Sequence, residues 1–175
     1  MAVSTGNYLK GFYTKTRAMG DKAINSDMAF EIEGFESHWL LAKQAPWAEL
    51  STAGEIEVPT PLGAALWQPQ QAKVNQQGSI TLMETVAGDI DDLLLNILTN
   101  QGLFNATIYE GVPTNYIRKK KYYDCFIQMD PIDRDWENRS QILIFTGTLF
   151  YHYFGDIEKG SADGNILRQK GGNVY

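Results

Sequence analysis

The chain has 175 residues, 43% of them hydrophobic, and this predicts one folded domain with a substantial core. Fifteen Lys and Arg stand against 21 Asp and Glu, and the net charge of −6 disfavours tight binding to a polyanion such as DNA. The chain has neither a signal-peptide pattern nor an apolar run near the roughly 20 residues of a membrane span. We therefore expect no contact with a membrane and a protein made and kept in the cytosol.

The first third of the chain carries weak strand signals. Residues 1–27 have no sustained period and predict an N-terminal arm with at most one short strand. Residues 28–32 alternate apolar and polar side chains, which predicts a strand that buries one face and leaves Glu31 on the wet face, with Glu33 following it. Residues 38–42 predict a second, short strand.

Residues 43–78 are rich in Pro, Gly, Gln and Ala, and they predict a long irregular loop. Loops of this length inside a compact domain tend to bind a partner or to be disordered. Trp47, Leu62 and Trp67 favour a partner, because large apolar side chains gain nothing in a loop that stays in water.

A strand over residues 79–86 and a helix over residues 89–101 follow. The helix is the clearest element, because its apolar residues recur at i, i+3, i+4, i+7 and i+8. Three aspartates in its first turn are expected to cap free backbone N–H groups and to oppose the positive end of the helix dipole, and Gly102 stands where a C-terminal cap belongs. The predicted buried stripe consists of Ile90, Leu93, Leu94, Ile97 and Leu98.

The last part of the chain predicts three strands, at residues 104–110, 121–130 and 140–154, with an acidic loop before the third. The third is apolar on both faces and would extend roughly 50 Å if unbroken. A strand of that kind needs cover on both sides, and a neighbouring subunit could supply it. Residues 156–175 are Gly-rich and predict a C-terminal arm.

The sequence offers little for catalysis or metal binding. His38, His152 and the single Cys125 are far apart in sequence, and Cys125 lies in an apolar stretch where a buried thiol is expected. The acidic run at residues 130–137 lacks the spacing of a calcium loop. We therefore expect no enzyme, no cofactor and no metal site.

Four consecutive cations, residues 118–121, are flanked by tyrosines and superficially resemble a nucleic-acid patch. A strand end that faces solvent or a partner is the favoured interpretation. Together with the separate acidic run, these cations suit complementary contacts between identical subunits.

Three segments, taken in order, resemble the tail tube proteins of bacteriophages, especially those with contractile tails. They are GSITLMETVAGDIDDLLLNIL, FNATIYEG and YYDCFIQMDPIDRDWENRSQILIFTGTLFYHYFG, and they span about residues 79–155. The resemblance implies a β-sandwich or barrel with one flanking helix, at residues 89–101, in a single domain over residues 1–175. It also implies kinship with the tube proteins of type VI secretion systems.

In that family six copies close into a ring, and the rings stack into a hollow tube that carries DNA without binding it. The resemblance thus implies a virion tail protein that assembles in the host cytoplasm with sheath and baseplate proteins. An acidic lumen would repel DNA, and alternation makes Glu31, Glu33, Thr81 and Thr85 candidates to line it. The candidate contacts between subunits are Trp47, Leu62, Trp67, Arg118, Lys119, Lys120, Asp133 and Asp135.

Two alternatives stay open from sequence. The first is a baseplate or tube-initiating ring protein of the same fold, made in few copies and meeting a different protein on one side. The second, from a different class, is a small nucleic-acid-binding β-barrel that uses the four cations and their tyrosines.

Overall fold

The structure, a computed structural model, describes residues 5–162. These residues form two α-helices, nine strands and two short 3-10 helices. The α-helices are α1 (Gly6–Ala18) and α2 (Asp89–Thr99), and the 3-10 helices span Glu36–Leu41 and Pro61–Gly63. The strands are β1 (Met28–Ile32), β2 (Ala42–Gln44), β3 (Glu55–Pro59), β4 (Ala65–Pro69), β5 (Asn75–Met83), β6 (Phe104–Val112), β7 (Asn115–Met129), β8 (Ile144–His152) and β9 (Ile157–Lys159).

Two antiparallel sheets share the long strand β7. The first half of β7 pairs with β6 on one side and β9 on the other, and β1 extends this sheet beyond β6. The second half pairs with β8, followed by β5 and β2. We call these sheet I and sheet II. Between the halves the register shifts, and Asp124 has a φ of 46°, a left-handed conformation that aspartate tolerates better than most residues.

The inner faces of the two sheets pack on each other and form the core. Phe30, Ile108 and Tyr122 come from sheet I, and Leu149 and Tyr151 come from sheet II, all of them buried. The Tyr122 and Tyr151 rings stack across the sandwich with centroids 4.5 Å apart. The predicted mainly β sandwich with a flanking helix is confirmed.

Helix α2 lies where the sequence predicts it, but its buried face and its N-terminal cap differ from the prediction. Ile90, Leu93 and Ile97 are buried as predicted, whereas Leu98 is exposed. The first-turn aspartates do not cap the helix backbone; the carboxylate of Glu84 does, accepting bonds from the N–H groups of Ile90 and Asp91, each at 3.0 Å. A charged acceptor there also opposes the helix dipole.

The strand predictions need three corrections. The third predicted strand, residues 140–154, is only the nine-residue β8, and its outward face mixes Ile144 and Phe150 with Thr146, Thr148 and His152, so it is only partly apolar. The unusually long strand is β7, with 15 residues, and the four cations lie within it rather than at a strand end. Residues 121–129 of β7 were predicted as a strand, and charge hid its first part, residues 115–120, since lysines are depleted in strands.

The arms and the long loop also contain structure that the sequence did not reveal. The N-terminal arm forms α1 instead of a short strand, and residues 38–42 belong mostly to a 3-10 helix. The loop at residues 43–78 contains the β3–β4 hairpin and the start of β5. The C-terminal arm begins with β9 paired to β7, and its residues 163–175 lie outside the described part of the chain.

A short segment, Pro46–Glu49, fastens the long loop to the core. The Tyr122 hydroxyl donates to Pro46 O at 2.7 Å and accepts from the Ala48 N–H at 2.9 Å. Lys120, only 1% exposed, donates to Ala48 O and pairs with Glu49 Oε1 at 2.7 Å, and its Nζ lies 4.5 Å from the centre of the Trp47 ring. Trp47 and Lys120 are therefore engaged within their own chain.

Glu84→Ala should lower the free energy of unfolding by about 1–2 kcal/mol, because two N–H groups of α2 lose their acceptor. Urea unfolding followed by circular dichroism measures this. Glu57→Ala, on the exposed hairpin, is the control and should change little. Equal stability of the two variants would contradict the capping role.

Glu49→Gln should lower the free energy of unfolding at pH 7 by about 0.5–1 kcal/mol, since the pair is half open to solvent. The hydrogen bond from Lys120 holds the pKa of Glu49 below its usual 4.5. The carboxylate thus contributes stability above about pH 4.5 and loses it as the pH falls through the lowered pKa. The difference between Glu49→Gln and wild type should shrink below that pH, whereas a loss independent of pH would refute the charge effect.

Candidate assembly surfaces

The four cations of β7 do not form one basic patch. Because side chains alternate along a strand, Arg118 and Lys120 lie on the opposite face of sheet I from Lys119 and Lys121. Three of them pair with carboxylates of their own chain: Arg118 with Glu110, Lys119 with Glu158 at 2.9 Å and Lys120 with Glu49 at 2.7 Å. This arrangement disfavours a nucleic-acid groove, which needs unpaired cations along one track.

The four candidate lumen residues occupy four different places. Glu31 lies on the outer face of sheet I, and one of its carboxylate oxygens is buried without a hydrogen-bond partner. Burial raises the pKa of Tyr109, and the neighbouring Glu31 carboxylate raises it further. Glu33 lies beyond the end of β1. Thr81 lies on the outer side of sheet II and donates to Gln44 at 3.4 Å, and Thr85 donates to Asp89 at 2.6 Å beside α2. They cannot all line one surface.

Neither outer face carries the acidic excess of the chain. The outer face of sheet I bears three carboxylates and two ammonium groups, on Glu31, Asp156, Glu158, Lys119 and Lys121. In sheet II, β5, β8 and residues 125–129 of β7 contain no Asp, Glu, Lys or Arg. Apart from Lys43 on the edge strand β2, sheet II is uncharged, and beside its polar residues it carries the Phe126 and Phe150 rings, stacked at 4.7 Å. The expected acidic lining is therefore found on neither sheet.

Both sheets have open edges within the described residues. β1 pairs only with β6, β9 only with β7, and β2 only with β5. Unpaired strand edges expose N–H and C=O groups that readily pair with another chain. The edges of sheet I are thus available to neighbouring copies.

The β3–β4 hairpin is the most exposed structured part of the loop. All of β4 is exposed, and Trp67 exposes 72% of its surface. Leu62 projects at the tip with a φ of 68°, a left-handed conformation that costs a leucine about 1 kcal/mol or more. A two-stranded hairpin is marginal alone in water. The exposure of Leu62 and Trp67 is what a contact surface requires.

The acidic segment that contains Asp133 and Asp135 is also exposed and irregular. Asp135 Oδ1 accepts a bond from the N–H of Glu137 at 2.9 Å, which closes a local turn. Trp136 beside it exposes 82% of its surface. Both aspartates line an open groove of about 870 Å³ that also contains Val86 and Ile142.

Helix α1 is an exposed surface that the sequence analysis missed. None of its residues is buried. The signal was present, since Tyr8, Leu9, Phe12 and Tyr13 repeat at i, i+1, i+4 and i+5. The glycines within and around this segment masked it.

The described residues contain neither a reactive thiol nor a cluster of metal ligands. Burial raises the pKa of the Cys125 thiol to about 12, so the nucleophilic thiolate is suppressed. Within residues 5–162, no group of three or more His, Cys, Asp or Glu side chains could hold a metal ion. Neither α-helix is long and apolar enough to cross a membrane.

No protein-family model matches the chain, and no curated protein matches it in sequence. Solved structures do match its fold. A chain of the PVC sheath–tube complex, an extracellular contractile injection system in its extended state, is 13% identical with a TM-score of 0.52. The match covers 83% of this chain and 97% of that chain.

Two other matches come from the anti-feeding prophage. Its tube-terminating cap is 14% identical with a TM-score of 0.53, and the match covers 80% of this chain and 93% of that chain. A chain of its six-fold symmetrised baseplate is also 14% identical, with a TM-score of 0.50 and coverage of 80% and 96%. The resemblance noticed in residues 79–155 is thereby confirmed for the fold, and the chain has the fold of tube-like proteins of contractile injection systems.

Proposed function

We propose that this chain is a structural subunit of a contractile tail or injection apparatus. Six copies close into a ring, and the rings stack into a hollow tube. The observation that carries the proposal is the coincidence of a matching fold with surfaces that one copy leaves uncovered. Those surfaces are the open edges of sheet I and the hairpin of β3 and β4.

Ring closure is supported by the arrangement of sheet I. This sheet has four strands, in the order β1, β6, β7 and β9, with free edges at β1 and β9. Pairing β1 of one copy with β9 of the next would satisfy both free edges of sheet I and join these sheets around the ring. The six-fold symmetry of the baseplate that contains a similar chain supports six as the number of copies.

The hairpin suits contacts between copies because it carries a large apolar surface away from the core. Trp67 and Leu62 would bury that surface against a neighbour, and a buried tryptophan typically dominates the binding energy of an interface. Asp133 and Asp135, which are exposed, remain candidates for such contacts. So do Arg118 and Lys119, although each already has a carboxylate partner.

The lumen of such a tube would be nearly neutral rather than acidic, whichever sheet lines it. A neutral polar wall has no array of cations to hold phosphates, so DNA or another cargo could pass without binding. We further propose that sheath and baseplate proteins are the partners, and that the protein assembles in the host cytoplasm and ends in the tail or tail-like particle.

A cap, initiator or baseplate ring of the same fold is the second candidate, favoured by the matches to a cap and to a baseplate. A tube subunit must bind copies of itself at both ends of the ring. A cap or baseplate subunit must do so at one end or at neither.

Negative-stain electron microscopy of the purified protein at rising concentration, with light scattering, separates these functions. Hollow tubes of uniform width are expected for the tube subunit, and single discrete rings would favour the cap or baseplate role. Particles that stay monomeric at every concentration would contradict the proposal.

Trp67→Asp should weaken assembly by at least about tenfold in critical concentration, because it places a charge in a buried contact. Ala53→Asp, at the base of the same hairpin, is a charge-matched control in an exposed position. Monomer stability should be unchanged in both variants. Tubes from Trp67→Asp at the wild-type concentration would show that the hairpin is not part of the interface.

A further inference from the structure

Helix α1 has a composition that demands a partner. Its 13 residues place Tyr8, Leu9, Phe12 and Tyr13 in a stripe roughly 140° wide, and each exposes more than half of its surface. An isolated helix of this length is marginal in water. Because no residue of α1 is buried in the single chain, we expect another surface to stabilise the helix.

The charge of α1 defines the partner. Lys10, Lys15 and Arg17 are its charged residues, and no acidic residue accompanies them in Gly6–Ala18. At 3.6 residues per turn, Arg17 lies near one edge of the apolar stripe and Lys15 near the other. The complementary surface is therefore an apolar groove with an acidic rim.

The groove beside Trp136 has this chemistry. Its floor and walls include Val86, Ile132, Trp136 and Ile142, and its volume is about 870 Å³. Glu84, Asp133 and Asp135 also line it, against a single cation, Arg134, so the groove carries an acidic excess. Val86, Trp136 and Ile142 are largely exposed in the single chain, so burial by a second chain would remove much apolar surface from water.

We propose that α1 of one copy binds in this groove on a neighbouring copy. The proposal rests on the self-assembly proposed above and specifies one of its contacts. The aromatic stripe fills the apolar groove, and the cations at the stripe edges meet the carboxylates of Asp133 and Asp135.

Within a single chain α1 does not occupy this groove. The four side chains of the α1 stripe each expose more than half of their surface, and so do Val86, Trp136 and Ile142 of the groove. Two complementary surfaces that one chain leaves open are available to pair between two copies.

A charge-swap experiment on the full chain tests this contact. Variant A carries Lys10→Glu, Lys15→Glu and Arg17→Glu, and variant B carries Asp133→Lys and Asp135→Lys. Each alone should raise the critical concentration for assembly, measured by sedimentation at low salt, by about tenfold or more. The control replaces the same three cations of α1 with the other basic residue, Lys by Arg and Arg by Lys, and should assemble as wild type.

A mixture of variants A and B shows whether α1 binds the groove of another chain. An equimolar mixture of A and B should recover assembly, because the acidic helix of A fits the basic groove of B and the basic helix of B fits the acidic groove of A. A chain with all five substitutions should recover as well. Recovery by that chain without recovery by the mixture would mean that α1 binds its own groove, and would overturn the proposal.

The remaining outcomes each decide the question. If wild type assembles and variant A assembles equally well, the helix contact is wrong while the tube proposal stands. If wild type never assembles, both are wrong. If variant A assembles normally but loses the wild type's binding to phosphatidylserine vesicles, α1 is a membrane-surface helix instead.

Disulfide trapping locates the contact. Chains with Phe12→Cys mixed with chains carrying Trp136→Cys should give a crosslinked dimer on oxidation once assembled, while buried Cys125 stays reduced. Leu98→Cys on exposed α2 is the control and should not crosslink to Phe12→Cys. Trapping at Leu98 instead of Trp136 would place α1 elsewhere and overturn the proposed site.

Discussion

The bend of β7 is the constraint on which the rest of the structure depends. One strand serves two sheets, so the two sheets must fold over each other where Asp124 breaks the register. That fold brings Tyr122 into stacking contact with Tyr151 and directs its hydroxyl at the segment Pro46–Glu49. Gly147 permits the close approach of β8 beyond the bend, because a Cβ there would overlap the carbonyl oxygen of Gln128. Core, loop anchor and sheet pairing thus follow from one strand.

The completed core contrasts with surfaces that a single copy leaves open. The sandwich buries its aromatic residues and satisfies Lys120 with a carbonyl and a carboxylate. By contrast, α1 and the β3–β4 hairpin carry large apolar side chains that stay mostly exposed. The two sheets carry few acidic side chains. Most of the acidic residues therefore lie in the segments outside the sheets. A self-assembling subunit explains this division, because its neighbours would cover those elements.

The sequence predicted the parts of the fold in which local pattern and burial agree. Helix α2 and the strands around residues 28–32, 104–110 and 144–152 have regular periodicity, and the structure contains them. The prediction for the four cations was wrong because Lys120 is buried against Glu49, which lies 71 residues earlier in the chain. No short stretch of sequence contains both residues. Helix α1 failed because glycines interrupt it and no partner within the chain shapes it. Of the candidate contact residues, Leu62, Trp67, Asp133 and Asp135 lie exposed, whereas Trp47 and Lys120 pack inside.

The central claim is that one copy is an incomplete unit whose exposed elements are covered by others. Amide hydrogen exchange on the same protein below and above its assembly concentration tests it directly. The account predicts that α1, the β3–β4 hairpin and the edge strands β1 and β9 become protected on assembly, while the core of β5 and β8 changes little. Unchanged exchange in those exposed elements within assembled particles would contradict it.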